Sequence, residues 1–279
     1  MLQTIRNAWK IEEIRKKLLF TLFIVLLYRL GNAVPVPYIN VTALSAYFTS
    51  VSNTVLGLYN VMSGSAFSQA TIFALSIQPY INASIIIQLL TIAVPALERL
   101  SKEGGEEGKQ KIERITRYST VGIAILQGYA YYVLIKTNGL LESGTGFWQG
   151  LVIVATFVAG SSILMWMGEQ ITEFGIGNGI SIILFVSIVS RLPNSIVTMV
   201  SNVIATPSTW WIYLLCILGA LAMIVLVVFV TNAERRIPVQ YSKRVVGRKV
   251  YGGQSTHLPL KVNMSGVLPI IFAQSIASL

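Results

Sequence analysis

The chain has 279 residues, of which 54% are hydrophobic and 11% are charged. Soluble domains carry about 25% charged residues, so this composition indicates an integral membrane protein. A single cysteine, Cys216, excludes a disulfide within the chain. With a single histidine, His257, it argues against a Cys/His metal site or a Cys–His catalytic pair.

Seven apolar runs follow one another along the chain, and we interpret them as membrane-spanning helices. A helix needs about 20 residues to cross the bilayer, and six of the runs approach that length. The seventh, 265–279, rises only about 22 Å at about 1.5 Å per residue, so we expect a fragment of a longer chain. The six others are 18–34, 72–97, 118–135, 147–168, 176–192 and 209–230.

Basic residues divide the chain into three predicted parts. Segment 1–17 reads as a cytoplasmic N-terminus with a short amphipathic helix at 10–17. Segment 18–192 contains the first five spans, and 193–279 contains the sixth span, a loop at 231–264 and the seventh run. Because cytoplasmic loops are rich in Lys and Arg, the N-terminus and the loops after the second and sixth spans are predicted to be cytoplasmic.

Two segments separate the first two spans. Residues 38–54 are rich in Ser, Thr and Asn and are predicted to form an external loop. Residues 55–68 are mildly apolar, rich in small residues and too short to span. Two interpretations stay open for 55–68: an external surface helix, or a half-helix that dips into the helix bundle. Irregular backbone at membrane depth is tolerated only inside protein or beside a cavity.

The second run, 72–97, contains amides but no charge. Gln78 and Asn82 are four residues apart and share one helical face. Hydrocarbon cannot bond an amide, so this face should point into a bundle or a water-filled path. The run therefore predicts a protein that handles a passage through the bilayer.

The predicted cytoplasmic connections differ in character. Residues 101–110 read as a flexible polar tip. Residues 175–179 read as a tight turn; their G-x-G-x-G spacing lacks the strand and acidic residue of a dinucleotide site. In 231–264, alternation of apolar and polar residues predicts a β-hairpin turning near 246–247. Its basic residues exceed what orientation requires and indicate binding to RNA phosphate, anionic lipid or an acidic protein surface.

Several strings resemble the SecY/Sec61 family of protein-conducting channel subunits, most closely its bacterial members. The resemblance extends along the whole chain, and the strings that carry it are TIFALSIQPYINASIIIQLL, KIERITRYST, MWMGEQITEFGIGNGISIIL and QSTHLPLKVNMSGVLPIIF. The family has ten spans in two inverted halves, so the resemblance implies an all-α polytopic membrane bundle that stops within its seventh span. It also implies a short plug half-helix and a cytoplasmic, hairpin-like basic loop.

The resemblance implies functional residues by position. The plug, which closes the channel from outside, matches Leu56, Gly57, Tyr59, Asn60, Met62 and Gly64 within 55–68. The pore ring matches Ile77, Ile81, Ile180, Leu184 and Ile271. A collar of branched apolar side chains dewets when empty and blocks ions. Gln88 and Gln127 are candidates for the lateral gate by position and chemistry, and each is equally explained as an interhelical hydrogen bond.

The same resemblance implies the partners. The basic loop is expected to dock the ribosome, through its rRNA, or the SecA ATPase, using Arg235, Arg236, Lys243, Arg244, Arg248 and Lys249. SecE and SecG would be companion subunits, and nascent secretory and membrane proteins with signal sequences would be the substrates. The location would be the lipid bilayer of the bacterial plasma membrane.

We expect no catalytic residues, no cofactor and no metal, since no Walker loop, paired intramembrane carboxylate or triad is present in the sequence. Two other functional classes remain open. A secondary transporter also uses broken, proline-bearing spans, but no ionisable residue other than Arg29 lies within the spans. A purely structural ribosome anchor would explain the basic loops but not the face formed by Gln78 and Asn82.

Overall fold

The computed structural model describes residues 9–51, 54–102, 104–142, 144, 146–239, 244–246, 249–251 and 256–261. It divides into two compact units, Met1–Asn194 and Ser195–Leu279.

The first unit begins with α1 (Glu12–Gly31). The predicted amphipathic helix at 10–17 and the first span are therefore largely one continuous helix. The predicted external loop at 38–54 is wrong, because α2 (Val41–Ser50) lies within it. The Asn40 side chain caps this helix by accepting a hydrogen bond from the Ala43 amide at 3.1 Å. Leu44 and Phe48, one turn apart, are buried in the core, and their burial overrides the polar composition of the segment.

Next comes α3 (Val55–Met62), which is shorter than the half-helix predicted at 55–68. Residues 63–77 then form hydrogen-bonded turns, with positive φ at Gly64, Ser65, Ala70 and Ser76. Two backbone bonds join this irregular segment to the chain after α1: Val36 N–H to Ala70 O at 2.9 Å, and Ile72 N–H to Val34 O at 3.1 Å. Its backbone is thus paired although it is largely buried.

The second predicted span is only partly correct. Its first six residues, 72–77, belong to the irregular segment, and the helix α4 (Gln78–Ala93) begins after them with Pro79 in its first turn. At Val94 the chain bends by 99° into α5 (Pro95–Lys102). Proline lacks an N–H and interrupts the helical ladder there. The next helix, α6 (Gly105–Thr137), already covers 105–110, so the predicted flexible tip at 101–110 is wrong for the described residues.

Two helices then meet at a glycine-rich turn, as predicted. α7 (Phe147–Phe174) ends before residues 175–178, and α8 (Gly179–Val189) follows. The Asn178 side chain caps α8 by accepting from the Ser181 amide at 3.1 Å. A Cβ on Gly179 would lie 2.0 Å from the Gly168 carbonyl oxygen, so only glycine permits this approach of the two helices. The next helix, α9 (Leu192–Ala205), begins in the first unit, and most of its residues belong to the second.

The core of the first unit combines aliphatic side chains with a group of aromatic rings in contact with one another. Phe67 stacks on Tyr131 with ring centroids 4.2 Å apart. The ring centroids of Phe48 and Tyr59 lie 5.1 and 4.8 Å from that of Phe67. Phe157 packs on the other side of Tyr131 at 5.1 Å. These rings join α2, α3, α6 and α7 around the irregular segment, and each pair contributes about 0.5–1.5 kcal/mol beyond area burial.

In the second unit, a 3₁₀ turn at Pro207–Thr209 precedes α10 (Trp210–Asn232). Within the described part of 233–261, four strands follow: β1 (Glu234–Val239), β2 (Arg244–Val246), β3 (Lys249–Tyr251) and β4 (Thr256–Lys261). β1 pairs with β4, and β2 with β3, both antiparallel. The predicted hairpin is confirmed: Val246 pairs with Lys249 across 247–248. The seventh apolar run, 265–279, lies outside the described residues.

By length and composition, four helical segments of the described chain are able to cross a membrane. They are α6, α7, the stretch Gly179–Ala205 that contains α8 and α9, and α10. The bent pair of α4 and α5 would make a fifth. α1 is not among them, since Lys17 and Arg29 leave only the stretch between them uncharged. The chain is therefore a multi-pass membrane protein, with five of the six predicted full spans supported by this measure.

Candidate functional site

A cavity of about 660 Å³ opens between α4, α6, α7 and α8. Its wall combines hydroxyl, amide and charged side chains with a few aliphatic ones. Residues of α4 contribute one side of it, and the facing helices contribute carboxylates and one guanidinium. The lining residues include Tyr80, Ser84, Gln88, Thr116, Arg117, Glu169, Glu173 and Ile180.

One ion pair spans the wall of this cavity. Arg117 Nε on α6 donates to Glu169 Oε1 on α7 at 2.8 Å. The two side chains are 48% and 25% exposed, so water screens their attraction. The pair links two helices at the polar rim, and sequence reasoning missed it because nothing in the sequence places positions 117 and 169 together.

The predicted inner face of α4 is confirmed. Gln78 is 6% exposed and Asn82 is 1% exposed. The Gln78 amide Nε2 donates to Met62 Sδ at 3.6 Å, which connects α4 to the last residue of α3. The Asn82 amide has no hydrogen-bond partner among the described residues. Burying an amide without a hydrogen-bond partner costs about 1–3 kcal/mol.

The short helix α3 meets α8 as well as α4. Gly64, two residues after α3, has φ +66°, and a Cβ there would lie 2.6 Å from the Ser187 carbonyl oxygen and 2.9 Å from Ser190 Oγ. The predicted plug residues Leu56 and Tyr59 pack against the aromatic core, and Gly57 is buried. The end of α3 thus lies against α4 and α8, on the helix faces that also carry the residues predicted for the pore ring.

Ile77 and Ile180, predicted for the pore ring, converge on one glycine. Each lies 3.4 Å from the position that a Cβ on Gly168 would occupy. Ile77 is fully buried and Ile81 is 9% exposed, while Ile180 and Leu184 on α8 are half-buried. Ile271 lies outside the described residues. Sequence reasoning missed Gly168, although a small residue within an apolar helix is the usual signal of close helix contact.

The structure does not bring the two predicted gate glutamines together. Gln88 is exposed and lines the cavity alongside Thr116. Gln127 lies eleven positions beyond Thr116 on α6, about 16 Å along the helix axis at about 1.5 Å per residue. Its Oε1 is buried without a hydrogen-bond partner among the described residues. The two side chains therefore sit in different surroundings, one in a polar cavity and one within the helix packing.

The basic loop forms a narrow β-ribbon. Arg235 and Arg236 are exposed in β1, opposite Leu260 and Pro259 of β4. Successive residues of a strand point to opposite faces, so the two guanidinium groups lie on different faces of the ribbon. Arg244 and Lys249 lie in β2 and β3. Lys243 and Arg248 lie outside the described residues.

A buried hydrogen bond between α1 and α8 was not foreseen. Tyr28 Oη and Ser187 Oγ are 2.6 Å apart, and the Tyr28 ring stacks on Phe73 with centroids 5.8 Å apart. Ser187 is the residue whose carbonyl faces Gly64. A tyrosine near the end of a predicted span reads as an interfacial anchor, and only the fold reveals that it reaches the helix against which the chain after α3 packs.

Comparison with known proteins identifies the family. The family model for SecY matches residues 71–279. Protein translocase subunit SecY of Streptomyces scabiei is 43% identical over 99% of this chain and 65% of its own length. The corresponding subunit of Pseudomonas aeruginosa is 46% identical over 95% of this chain and 60% of its own length. The chain thus spans less than two thirds of the length of these relatives.

Solved structures match in fold. A protein-conducting channel matches with a TM-score of 0.60 and 18% identity, over 95% of this chain and 57% of that one. Sec61 from the canine ribosome-channel complex of the endoplasmic reticulum matches with a TM-score of 0.59 and 17% identity, with the same coverage. The helical bundle with its small hairpin is therefore the fold of these channels. Together with the family match, this shows that the chain belongs to the SecY family.

Proposed function

We propose that this chain is the central pore-forming subunit of a Sec protein-conducting channel. It would pass unfolded secretory proteins across the bacterial plasma membrane and release membrane-protein helices sideways into the bilayer. The proposal rests above all on the order of features along α4 and α8. On each helix, aliphatic residues lie between a polar cavity and the short helix α3, which we call the lid.

The order along α8 supports this path. Asn178 and Ile180 line the cavity at the start of the helix. Leu184 follows about one turn later, and Ser187 then faces Gly64 at the end of the lid. From Asn178 to Ser187 the helix thus leads from a polar mouth, through an apolar constriction, to the closed end over about 14 Å at about 1.5 Å per residue.

The order along α4 is the same in reverse. Gln78 contacts Met62 of the lid, Ile81 follows, and Ser84 and Gln88 line the cavity, to which Tyr80 also contributes from the turn that holds Ile81. A ring of aliphatic side chains excludes water and therefore ions when it is empty, yet separates around a polypeptide because only dispersion contacts hold it together. The lid would add a second seal. In a SecY protein of known structure, to which this chain is 20% identical, the plug domain stabilises the closed state and maintains a membrane seal.

Gln127 and Gln88 are proposed to act at the lateral gate. Gln127 is the stronger candidate, since its Oε1 is buried without a partner in the described part of the chain. Such a group is stabilised when a neighbouring helix moves and offers a donor. Gln88 would meet the substrate earlier, in the cavity.

Energy would come from partners. The homologous subunits are named as translocase subunits, and we propose that SecE, SecG, SecA and the ribosome act with this chain, whose own role is passive and not enzymatic. The N-terminus and the ribbon would be cytoplasmic. The positively charged ribbon suits rRNA phosphate or an acidic protein face, because Arg presents a planar fork to phosphate.

The path is tested by photo-crosslinking from single positions of the full-length subunit in its complex. A probe at Leu184 is expected to crosslink to a secretory chain arrested in transit. A probe at the neighbouring Phe185, whose side chain is 65% exposed, is expected to crosslink to lipid. The reverse pattern would contradict the pore. Solute flux through the subunit without a polypeptide substrate would instead favour a secondary transporter.

The docking role of the ribbon is tested by reversing charge at its base. Arg235→Glu and Arg236→Glu are each expected to weaken ribosome binding and to lower its dependence on salt, since each removes about one phosphate contact. Because the two side chains lie on different faces, one change should exceed the other. Unchanged affinity at low salt for both variants would refute ribosome docking through this strand.

A further inference from the structure

We infer that Asn60 is the positioning residue that holds the lid helix closed, by clasping it to a fixed seat formed by residues 66–77. The inference rests on the proposed function, because it identifies a contact of the lid that must break when the channel opens. It predicts that the moving part ends at 63–65 and that the seat stays in place.

Asn60 binds the chain beyond the lid through both its side chain and its backbone. Its Oδ1 accepts from the Ser68 amide at 3.0 Å, across eight residues. Its carbonyl oxygen accepts from the Ser65 amide at 3.0 Å and from Ser63 Oγ at 3.1 Å. The side-chain bond joins the lid directly to the seat, whereas the two backbone bonds close the turn between them.

The seat is fixed from several sides. Tyr131 Oη on α6 donates to the Phe67 carbonyl oxygen, and the two rings stack. The Val36 amide donates to Ala70 O, and the Ile72 amide donates to Val34 O. A Cβ on Gly160 of α7 would lie 2.0 Å from Ile72 O, so α7 presses directly on the seat. Hydrogen bonds from two elements and close backbone packing on a third hold it while the lid moves.

The lid is held more weakly. Its other contacts include Leu56 packed against the core, the Tyr59 ring near Phe67 and the Met62 sulfur near Gln78. Just beyond the lid, Gly64 approaches Ser187. A sulfur acceptor at 3.6 Å and a tilted ring pair are soft contacts that break and reform without an orphaned backbone group. The Asn60 clasp is different, since it pairs a backbone N–H of a residue that is 8% exposed.

The joint between lid and seat is built to turn. Gly64 and Ser65 are consecutive residues with φ of +66° and +74°. The left-handed region is rare for a residue with a side chain, so Ser65 is held in a strained conformation by its surroundings. Loss of the hydrogen bond between the Ser68 amide and Asn60 Oδ1 removes the bond that connects the lid to the seat across this turn. The chain would then relax at the joint and swing the lid away from α4 and α8.

Asn60→Ala leaves the Ser68 amide without its acceptor in the closed state, which shifts the balance toward the open lid. The loss of one such bond corresponds to about a fivefold to tenfold larger open population. Asn60→Asp keeps an acceptor oxygen at the same place, and a carboxylate accepts more strongly. The matched control is Asn40→Ala. Asn40 Oδ1 accepts a hydrogen bond from the Ala43 amide at 3.1 Å, so this variant removes the same kind of bond from a helix outside the lid.

The experiment measures ion conductance of the full-length subunit in its complex, reconstituted in planar bilayers without substrate. A fivefold to tenfold rise for Asn60→Ala, with Asn60→Asp and Asn40→Ala at the unmodified level, supports the clasp. A rise in Asn40→Ala as large as in Asn60→Ala, or no rescue by Asn60→Asp, overturns it in favour of general loosening. Should Asn60→Ala not fold, Asn60→Leu removes the same acceptor and keeps the branching at Cγ, with a larger side-chain volume.

Deletion of 55–62 separates this inference from the proposed function. If the deletion raises the resting conductance and Asn60→Ala does not, the lid seals the pore without the clasp, and only the inference fails. If the deletion leaves the conductance unchanged, α3 is not a seal. The proposed role of α3 then fails together with the clasp.

Discussion

The two ends of the proposed path are built from opposite chemistry. At the lid end, aromatic rings and glycines bring chain segments into direct contact, and α3 itself carries no charge. At the cavity end, Glu113, Glu169, Glu173 and Arg117 surround about 660 Å³ of open space. The helices α4, α6, α7 and α8 contribute to both ends, so the difference arises from the side chains that each helix presents along its length.

This contrast indicates what each end must do. A seal against ions requires contact without gaps, because water follows any polar opening. An entrance must hold water and tolerate many sequences, which favours solvated groups whose interactions are individually weak. Substitutions at the lid end should therefore change stability strongly and those at the cavity end weakly. Three predictions test this gradient.

The largest effect is expected where backbone packs on backbone at the lid end. In Gly160→Ala the new Cβ would lie 2.0 Å from Ile72 O, so α7 or the seat must shift. We expect a loss of about 3 kcal/mol or more in the free energy of unfolding, measured by thermal denaturation in detergent. Gly122→Ala is the control, because nothing lies within 4 Å of its Cβ and alanine favours the helix. Equal melting temperatures for Gly160→Ala and the unmodified protein would contradict the tight seat.

A middle-sized effect is expected from Tyr131→Phe. The change keeps the ring that stacks on Phe67 and removes the hydroxyl that donates to its carbonyl oxygen. The Phe67 carbonyl oxygen keeps the hydrogen bond from the Ala70 amide at 3.2 Å. Loss of the hydroxyl bond alone should therefore cost about 0.5–1.5 kcal/mol of unfolding free energy. Tyr129→Phe on the same helix is the matched control, since Tyr129 is 60% exposed. A loss of the same size in both variants would mean that the hydroxyl bond to the seat contributes nothing of its own.

Several features of the fold were predictable from single residues. Amides within an uncharged apolar run required an inner face, and Gln78 and Asn82 are indeed buried. Alternating polarity predicted the ribbon, and the glycine-rich segment before α8 predicted its tight turn. In each case the chemistry is local, because a hydrogen-bonding group, a strand period or a backbone conformation is set by neighbours in sequence.

The parts that failed depend on partners distant in sequence. Residues 72–77 are as apolar as a span, yet they form irregular chain because α6 and α7 supply their packing. The segment 41–50 is polar enough for a loop, yet it is helical because Leu44 and Phe48 are buried. Glutamine chemistry alone did not separate Gln88 in the cavity from Gln127 in the packed helix. Which residues face each other is a property of the assembled bundle.

The smallest effect is expected at the cavity end, from the ion pair of Arg117 and Glu169. A double-mutant cycle with Arg117→Gln and Glu169→Gln should give a coupling of about 0.2–1 kcal/mol, which high salt reduces because both side chains are partly exposed. The pair of Lys109 and Glu106, 67% and 84% exposed, is the control and should give still less.

A coupling above about 2 kcal/mol that resists salt would break the contrast between the two ends. A pair that strong has to be desolvated, since water screens exposed charges and buried ones are screened much less. The cavity rim would then be a dry joint between α6 and α7 and not a solvated entrance. A weak, salt-sensitive coupling leaves the rim hydrated, and a hydrated rim suits an entrance that accepts chains of many sequences without holding any of them.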